Sequence, residues 1–145
     1  MMLLVVDTSV LVADLLRIKG RERLSDHRLD LYLPEHTLGE VHVELPRRIG
    51  AVAASAGLDA AERDDLLMLC LDAVDNNLAV VAGEVYSPFE REALARSQRD
   101  PADWPVVACA LALSAAVWTN DNDFLGTGVP TWTTRTLQIW LDRQG

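Results

Sequence analysis

LLVVDTSVLVADLL, residues 3–16, is the stretch on which the fold turns. Residues 3–6 are an unbroken apolar run that stops at Asp7. A run this short is too brief for a helix. With no polar residue alternating through it, it reads as a strand buried on both faces, the kind found inside parallel sheets. Residues 9–17 then read as a helix. A strand that passes through one acidic residue into a helix is the first half of a parallel crossover unit.

The rest of the chain repeats that alternation. LDLYL, 29–33, reads as a strand ending at Pro34, followed by helices over 35–45 and 47–57 that break at Pro46 and close at Gly57. Asp59 and Glu62 form a capping box for a helix of about 59–75. The apolar run in NLAVVAGEVY fits either a strand or a helix end. Ser87-Pro88-Phe89-Glu90 offers an N-cap, an N1 proline and an N3 glutamate. A helix over 101–115, a strand AVWT, a short strand near 129–132 and a helix over 134–143 complete the order. The expectation is a single α/β domain, 1–145, with a central parallel sheet flanked by helices and right-handed crossovers.

Composition narrows the class. The 145 residues are 50% hydrophobic and 24% charged, which fits a globular chain and argues against disorder. The apolar start has no basic leader, and Asp7 and Asp14 interrupt it, so it reads as neither a signal peptide nor a membrane span. Cys70 and Cys109 form no CxxC pair and read as free, buried thiols of a cytoplasmic protein. The net charge of −9 opposes a protein that grips nucleic acid through bulk charge. Of the 13 basic residues only Lys19 is a lysine. Arg17, Lys19, Arg21, Arg23 and Arg28 crowd one segment, and Arg47–Arg48 form a second group. Two readings stand for the first: a solvated loop, or a local patch that contacts phosphates through the planar Arg fork.

The acids are placed where an open parallel sheet builds its sites, beyond the carboxyl ends of strands. Asp7 leaves the first strand. Asp121, with Asp123, leaves the late strand in AAVWTNDNDF, 115–124. Asp103 lies in the first turn of the helix entering that late strand, with Asp100-Pro101 ahead of it. Singly, each has an ordinary use: Asp7, Asp100 and Asp103 as helix caps, Asp121 and Asp123 as turn residues. Jointly they are a cluster of carboxylates with little basic sequence beside them. Such a cluster raises its own pKa values and destabilises itself, and a divalent cation removes that penalty.

Three segments in order carry a resemblance to a known family. VVDTSVLVADLL (5–16), LPEHTLGEVHVEL (33–45) and DPADWPVVACALALSAAVWTNDNDF (100–124) resemble the motifs of the PIN-domain family, which includes the ribonuclease toxins of bacterial toxin–antitoxin pairs. The likeness spans 3–141. It implies a three-layer PIN-like fold and an acidic Mg²⁺ or Mn²⁺ site formed by Asp7, Glu40, Asp103 and Asp121, with Asp123 in support. Glu44 shares the helix face of Glu40. Glu40 is preferred because the helix follows strand 29–33, so its N-terminal end faces the site, and Glu44 lies about 6 Å farther along the axis. Thr8 and Thr119 would hydrogen-bond a carboxylate or a water there, or a local backbone group. The sequence departs from the motif in having Pro105 close behind Asp103 and a further acid, Asp100.

The implied activity is metal-dependent hydrolysis of RNA phosphodiesters by an endoribonuclease, with a cognate antitoxin and homo-oligomerisation as family expectations. Oxygen-only donors suit Mg²⁺ or Mn²⁺ rather than zinc. In this reading Arg17, Lys19, Arg21 and Arg23 would hold the RNA backbone beside the acids. The alternative is a PIN-like interaction or RNA-binding module with weak or no catalysis. Other chemistries find no motif: His27, His36 and His42 lack metal-like pairing and read as surface residues, and no GxSxG, GxGxxG or phosphate-binding glycine loop is present. Asp7-Thr8-Ser9 is not the Asp-x-Asp of a haloacid-dehalogenase-like phosphotransferase, and a late-strand lysine of the receiver type is missing, Lys19 being the only lysine.

Overall fold

Leu4 and Val6 turn to one face of the first strand and Val5 to the other, and all three are fully buried. A strand closed on both sides in this way sits at the middle of a sheet. In the computed structural model, which describes residues 1–144, β1 (Met2–Val6) is the central strand of five. Gly145, the end of the expected domain, lies outside the described residues. The other strands are β2 (Leu29–Pro34), β3 (Leu78–Val81), β4 (Ala116–Trp118) and β5 (Thr131–Trp132). Their order is β3-β2-β1-β4-β5 and every pairing is parallel.

The helices, in chain order, are α1 (Thr8–Leu15), α2 (Ile18–Leu24), α3 (Glu35–Ala56), α4 (Ala60–Asn77), α5 (Gly83–Tyr86), α6 (Glu90–Arg96), α7 (Trp104–Leu113) and α8 (Thr134–Gln144). Leu4, Val6, Leu31, Leu33 and Trp118 form one core with residues of α1 to α4 and α8. Val5 and Val117 form the second with α5, α6 and α7. Helices thus cover both faces, giving the expected three layers. No helix among the described residues is long and apolar enough to cross a membrane.

Four local expectations change. The basic segment is the helix α2, not a loop. Residues 35–56 are one helix rather than two, with Pro46 inside it. Proline there forfeits the hydrogen bond to the carbonyl of His42, but Pro46 and His42 are both exposed, so water can take the orphaned oxygen. Ser87 does not start a helix: the chain already coils at Gly83 and passes through a tight turn over Ser87–Phe89 into α6. The helix expected over 101–115 begins as a 3₁₀ turn, Pro101–Asp103, and α7 ends at Leu113 with Ser114 left-handed at φ 51°. The ambiguous LAVV run is the edge strand β3. The Asp59–Glu62 capping box is present, and Cys70 and Cys109 are free and buried.

The topology fixes where a site can lie. From β1 the chain builds outward to β2 and β3, then returns to add β4 and β5 on the opposite side. The carboxyl ends of β1 and β4 flank the point where the winding reverses, and crossover helices on opposite faces leave a crevice there. Asp7 N–H donates to Trp118 O at 3.0 Å, and Thr119 N–H to Trp132 O at 2.9 Å, so both residues stand just beyond the ladder. The basic segment is at the other end. Arg28 O accepts from Met2 N–H at 2.9 Å, which places its exit at the amino edge of the sheet.

Candidate functional site

Asp7 is held from several sides. One oxygen, Oδ1, caps α1 by accepting from Thr8 N–H at 2.9 Å. The other, Oδ2, accepts from Thr119 Oγ1 at 2.9 Å and Ser9 Oγ at 3.3 Å. The Thr119 hydroxyl in turn accepts from Asp121 N–H at 3.0 Å, so a single buried threonine ties the end of β1 to the end of β4. Asp121 Oδ1 closes its own turn by accepting from Asp123 N–H at 2.9 Å. The turn and cap roles open to these aspartates from sequence are therefore real, and each uses only part of the carboxylate.

Glu40 projects from the second turn of α3, which starts where β2 ends, and its Oε1 accepts from Thr8 Oγ1 at 3.2 Å. Asp103 lies at the junction of the 3₁₀ turn and α7, where Asp100 Oδ1 caps the turn by accepting from Ala102 N–H at 3.1 Å. One crevice of about 340 Å³ is lined by Asp7, Thr8, Glu40, Asp100, Asp103 and Asp121, together with Ser9, Thr37, Glu44 and Arg48. The four acids named as the metal set from sequence therefore share one pocket, with Asp100 and Glu44 as a fifth and a sixth. Asp123 stands outside that lining and faces Arg99, at 3.4 Å. Glu44 is engaged by Arg47 at 3.1 Å, whereas Glu40 is bonded to the residue beside Asp7.

The electrostatics record the crowding. Asp103 is pushed up to about 7, first by burial and then by Asp100, Asp7, Asp121 and Asp123. Asp7 is also raised, with burial the largest cause and Asp121 adding repulsion, against hydrogen bonds from Thr119, Ser9 and Thr8 that pull it back. Asp103 Oδ2 and Thr37 Oγ1 are buried without a hydrogen-bond partner, two of the three such side-chain atoms among the described residues. A buried carboxylate oxygen facing like charges and no donor is expensive to hold. The acids share the pocket without closing on one point: among the described residues no three His, Cys, Asp or Glu side chains are gathered into a group that could hold a metal ion.

The basic segment is not brought to this pocket. Arg23 Nη1 donates to both carboxylate oxygens of Asp14, at 2.9 and 3.0 Å, and both residues are largely buried. Arg21 donates to Leu15 O at 2.7 Å, closing the corner between α1 and α2. Arg17 stands at the N-cap of α2, and Lys19 and Arg23 line a separate cleft with Gln138 and Asp142. Two members of the cluster for which sequence leaves a solvated loop or a phosphate patch open, Arg21 and Arg23, thus fasten α2 to its neighbours at the far edge of the sheet. Three polar pocket residues, Ser9, Thr37 and Arg48, were not singled out from sequence as part of the site. Thr37 carries no signal beyond its place three residues before Glu40, and Arg48 appeared only as half of an Arg pair, although its spacing of eight from Glu40 puts it near the same helix face.

The comparisons agree with this architecture. A family model described as the PIN domain matches residues 5–142. No curated protein matches the chain. Among solved structures, a crystal structure of PAE2754 from Pyrobaculum aerophilum is similar over 99% of this chain and 97% of that one, with a TM-score of 0.63 at 19% identity, a likeness of fold. With the family model covering nearly its whole length, the chain belongs to the PIN domain family, whose members are typically nucleases.

Proposed function

We propose that this protein is a divalent-metal-dependent endoribonuclease acting at the acidic crevice between β1 and β4. The observation that carries the reading is Asp103 Oδ2, a buried carboxylate oxygen with no partner, in a pocket it shares with Asp7, Glu40, Asp100 and Asp121. The donor set fits Mg²⁺ or Mn²⁺: every candidate group is a carboxylate oxygen, with neither thiolate nor imidazole lining the pocket. Asp7, Glu40, Asp103 and Asp121 would hold the ion. Such an ion, when bound, supplies Lewis-acid stabilisation of phosphoryl oxygens and a lowered pKa for the attacking water.

The chain's own residues do the positioning. Thr119 orients Asp7 Oδ2 and fixes the turn that presents Asp121, while Thr8 holds Glu40 toward Asp7. The negative pocket repels a polyanion unless a cation intervenes, so RNA hydrolysis is expected only with metal. A second reading, a non-catalytic interaction module, draws on the fact that Asp7 and Asp121 already serve as caps, a use they would keep without turnover. Single-stranded RNA incubated with Mg²⁺, Mn²⁺ or EDTA separates the two. Cleavage that needs metal and disappears in Asp121→Asn supports the nuclease; intact RNA with either metal supports the module.

A further inference from the structure

Positive charge is scarce around the acidic crevice, and its one basic lining residue among those described is Arg48. Glu40, Glu44 and Arg48 follow one another at intervals of four along α3 and all three line the pocket, so they form a stripe on one helix face. Within that stripe the charges are not equivalent. Arg47 takes Glu44 as its partner, at 3.1 Å through its Nη2, which spends the only acid between Glu40 and Arg48. Arg48 is exposed and enters no salt bridge or hydrogen bond among the described residues. An unpaired guanidinium that shares a pocket with six carboxylates, and is bonded to none of them, is placed for an anion that arrives from outside.

Helix geometry says where that anion would sit. Arg48 is about 12 Å beyond Glu40 along the axis, and helical side chains lean back toward the amino end, so a pocket-lining Arg48 offers its charge to one end of the crevice and not to its acidic end. We propose that Arg48 anchors an RNA backbone phosphate next to the cleaved linkage, and not the cleaved linkage itself. The proposal rests on the nuclease reading for its substrate, and it names the residue that lets an acidic protein hold RNA. The planar fork of arginine suits two phosphate oxygens. Because the contact lies away from the reacting phosphorus, it serves binding and leaves the chemical step alone.

The test uses the full chain and a short fluorescein-labelled single-stranded RNA. Binding is followed by anisotropy over a KCl series, with Ca²⁺ replacing Mg²⁺ and the RNA checked on a gel for integrity. Arg48→Gln is expected to weaken binding about tenfold and to reduce the slope of log K against log salt by about 0.7, the value for one phosphate contact on a single strand. Arg48→Lys should keep the slope and lose part of the affinity. In cleavage with Mg²⁺, Arg48→Gln should raise KM with kcat within about twofold. Arg63→Gln, exposed on α4 and outside the pocket lining, serves as a charge-matched control and should match the parent in all of these. An Arg48→Gln protein with the parent's affinity and salt slope overturns the proposal, as does a slope change that Arg63→Gln reproduces. Absence of cleavage by the parent with either metal is a separate result. It removes the nuclease reading, while the anisotropy slopes still decide whether Arg48 holds a phosphate.

Discussion

Replacing Asp103 with Asn removes a charge from the most crowded point of the crevice and leaves its shape nearly unchanged. Asn resembles the neutral form of the acid, so the difference between the two proteins isolates what ionisation costs the fold. Asp103 titrates at about 7 in the folded protein against an ordinary 3.8. At 1.36 kcal/mol per pKa unit, that gap sets an upper bound of about 4 kcal/mol. Asp103 keeps part of its surface in water, and screening brings the expectation to on the order of 2 kcal/mol. The sign follows from linkage. A carboxyl whose folded pKa is raised contributes nothing below 3.8, destabilises progressively between 3.8 and about 7, and exerts its full penalty above that. In EDTA at pH 8, Asp103→Asn should therefore melt higher than the parent by roughly 4–8 °C. The advantage should shrink as the pH falls and be nearly gone at about pH 4. Adding Mg²⁺ or Mn²⁺ at pH 8 should reverse the order, because an ion bound only by the folded state stabilises the parent by mass action. The assay is a grid of thermal melts across pH, with and without metal. An Asp103→Asn protein that melts at or below the parent in EDTA at pH 8, with a difference that does not vary with pH, would refute the reasoning.

Three further outcomes follow from the contacts. Arg23→Gln strands the buried Asp14 carboxylate without its charged partner and should cost on the order of 3 kcal/mol in urea unfolding, with no change in the salt dependence of RNA binding. A Cβ at Gly20 would lie 2.2 Å from Asp14 O, a backbone atom, so Gly20→Ala should destabilise by at least about 2 kcal/mol; at Gly50, inside α3 with nothing within 4 Å, the same change should stabilise by up to about 1 kcal/mol. Thr119→Val loses the donor to Asp7 and the acceptor for Asp121 N–H, and should cost about 2 kcal/mol at pH 8 and less at pH 5, since the lost bond favoured the charged form of Asp7. Equal losses at the two pH values would show that Thr119 acts by packing alone.

Much of the architecture is legible in the sequence because its signals are local. The apolar run before Asp7, the Asp59–Glu62 box and the strand–helix alternation each rest on neighbours within a few residues, and the structure keeps all of them. Pro46 misleads because a helix anchored by Val41, Leu45, Ile49 and Ala53 on its buried face tolerates one missing hydrogen bond on the wet face. Ser87-Pro88-Phe89-Glu90 misleads in the same way, since tertiary contacts around Tyr86 coil the chain earlier than the capping pattern requires. The meeting of Asp7, Glu40, Asp103 and Asp121 in one pocket is legible because parallel topology sends carboxyl ends of strands to one edge. The structural roles of Arg21 and Arg23 are not legible, because Asp14 is nine residues from Arg23 and only the turn between α1 and α2 reveals them as partners.

The use of the same aspartates as caps and as pocket acids raises a question of economy that the contacts resolve. A carboxylate offers two oxygens and about four acceptor sites. Asp7 gives Oδ1 to the amino end of α1 and holds Oδ2 on two hydroxyls at the pocket wall. Asp121 gives Oδ1 to its own turn. Asp100 gives Oδ1 to the turn that leads into Asp103. In each case the local bond fixes the side chain's orientation, and the remaining acceptor sites are left for the crevice. Asp103 differs: α7 starts without a side-chain cap bond from it, and its Oδ2 is buried with nothing to accept from. The three anchored acids thus act as a frame, and Asp103 is the member whose ionisation the fold alone does not support. Ordering by dependence on metal follows from that asymmetry. Losing the charge of Asp103 should relieve the metal-free protein most, whereas Asn at 7 or 121 keeps the Oδ1 cap but gives up a charge that local hydrogen bonds stabilise, which offsets the relief of repulsion. A metal-free stability ranking with Asp103→Asn above both Asp7→Asn and Asp121→Asn is the expected result, and a ranking that places Asp103→Asn lowest would mean that its carboxylate is held by the fold after all.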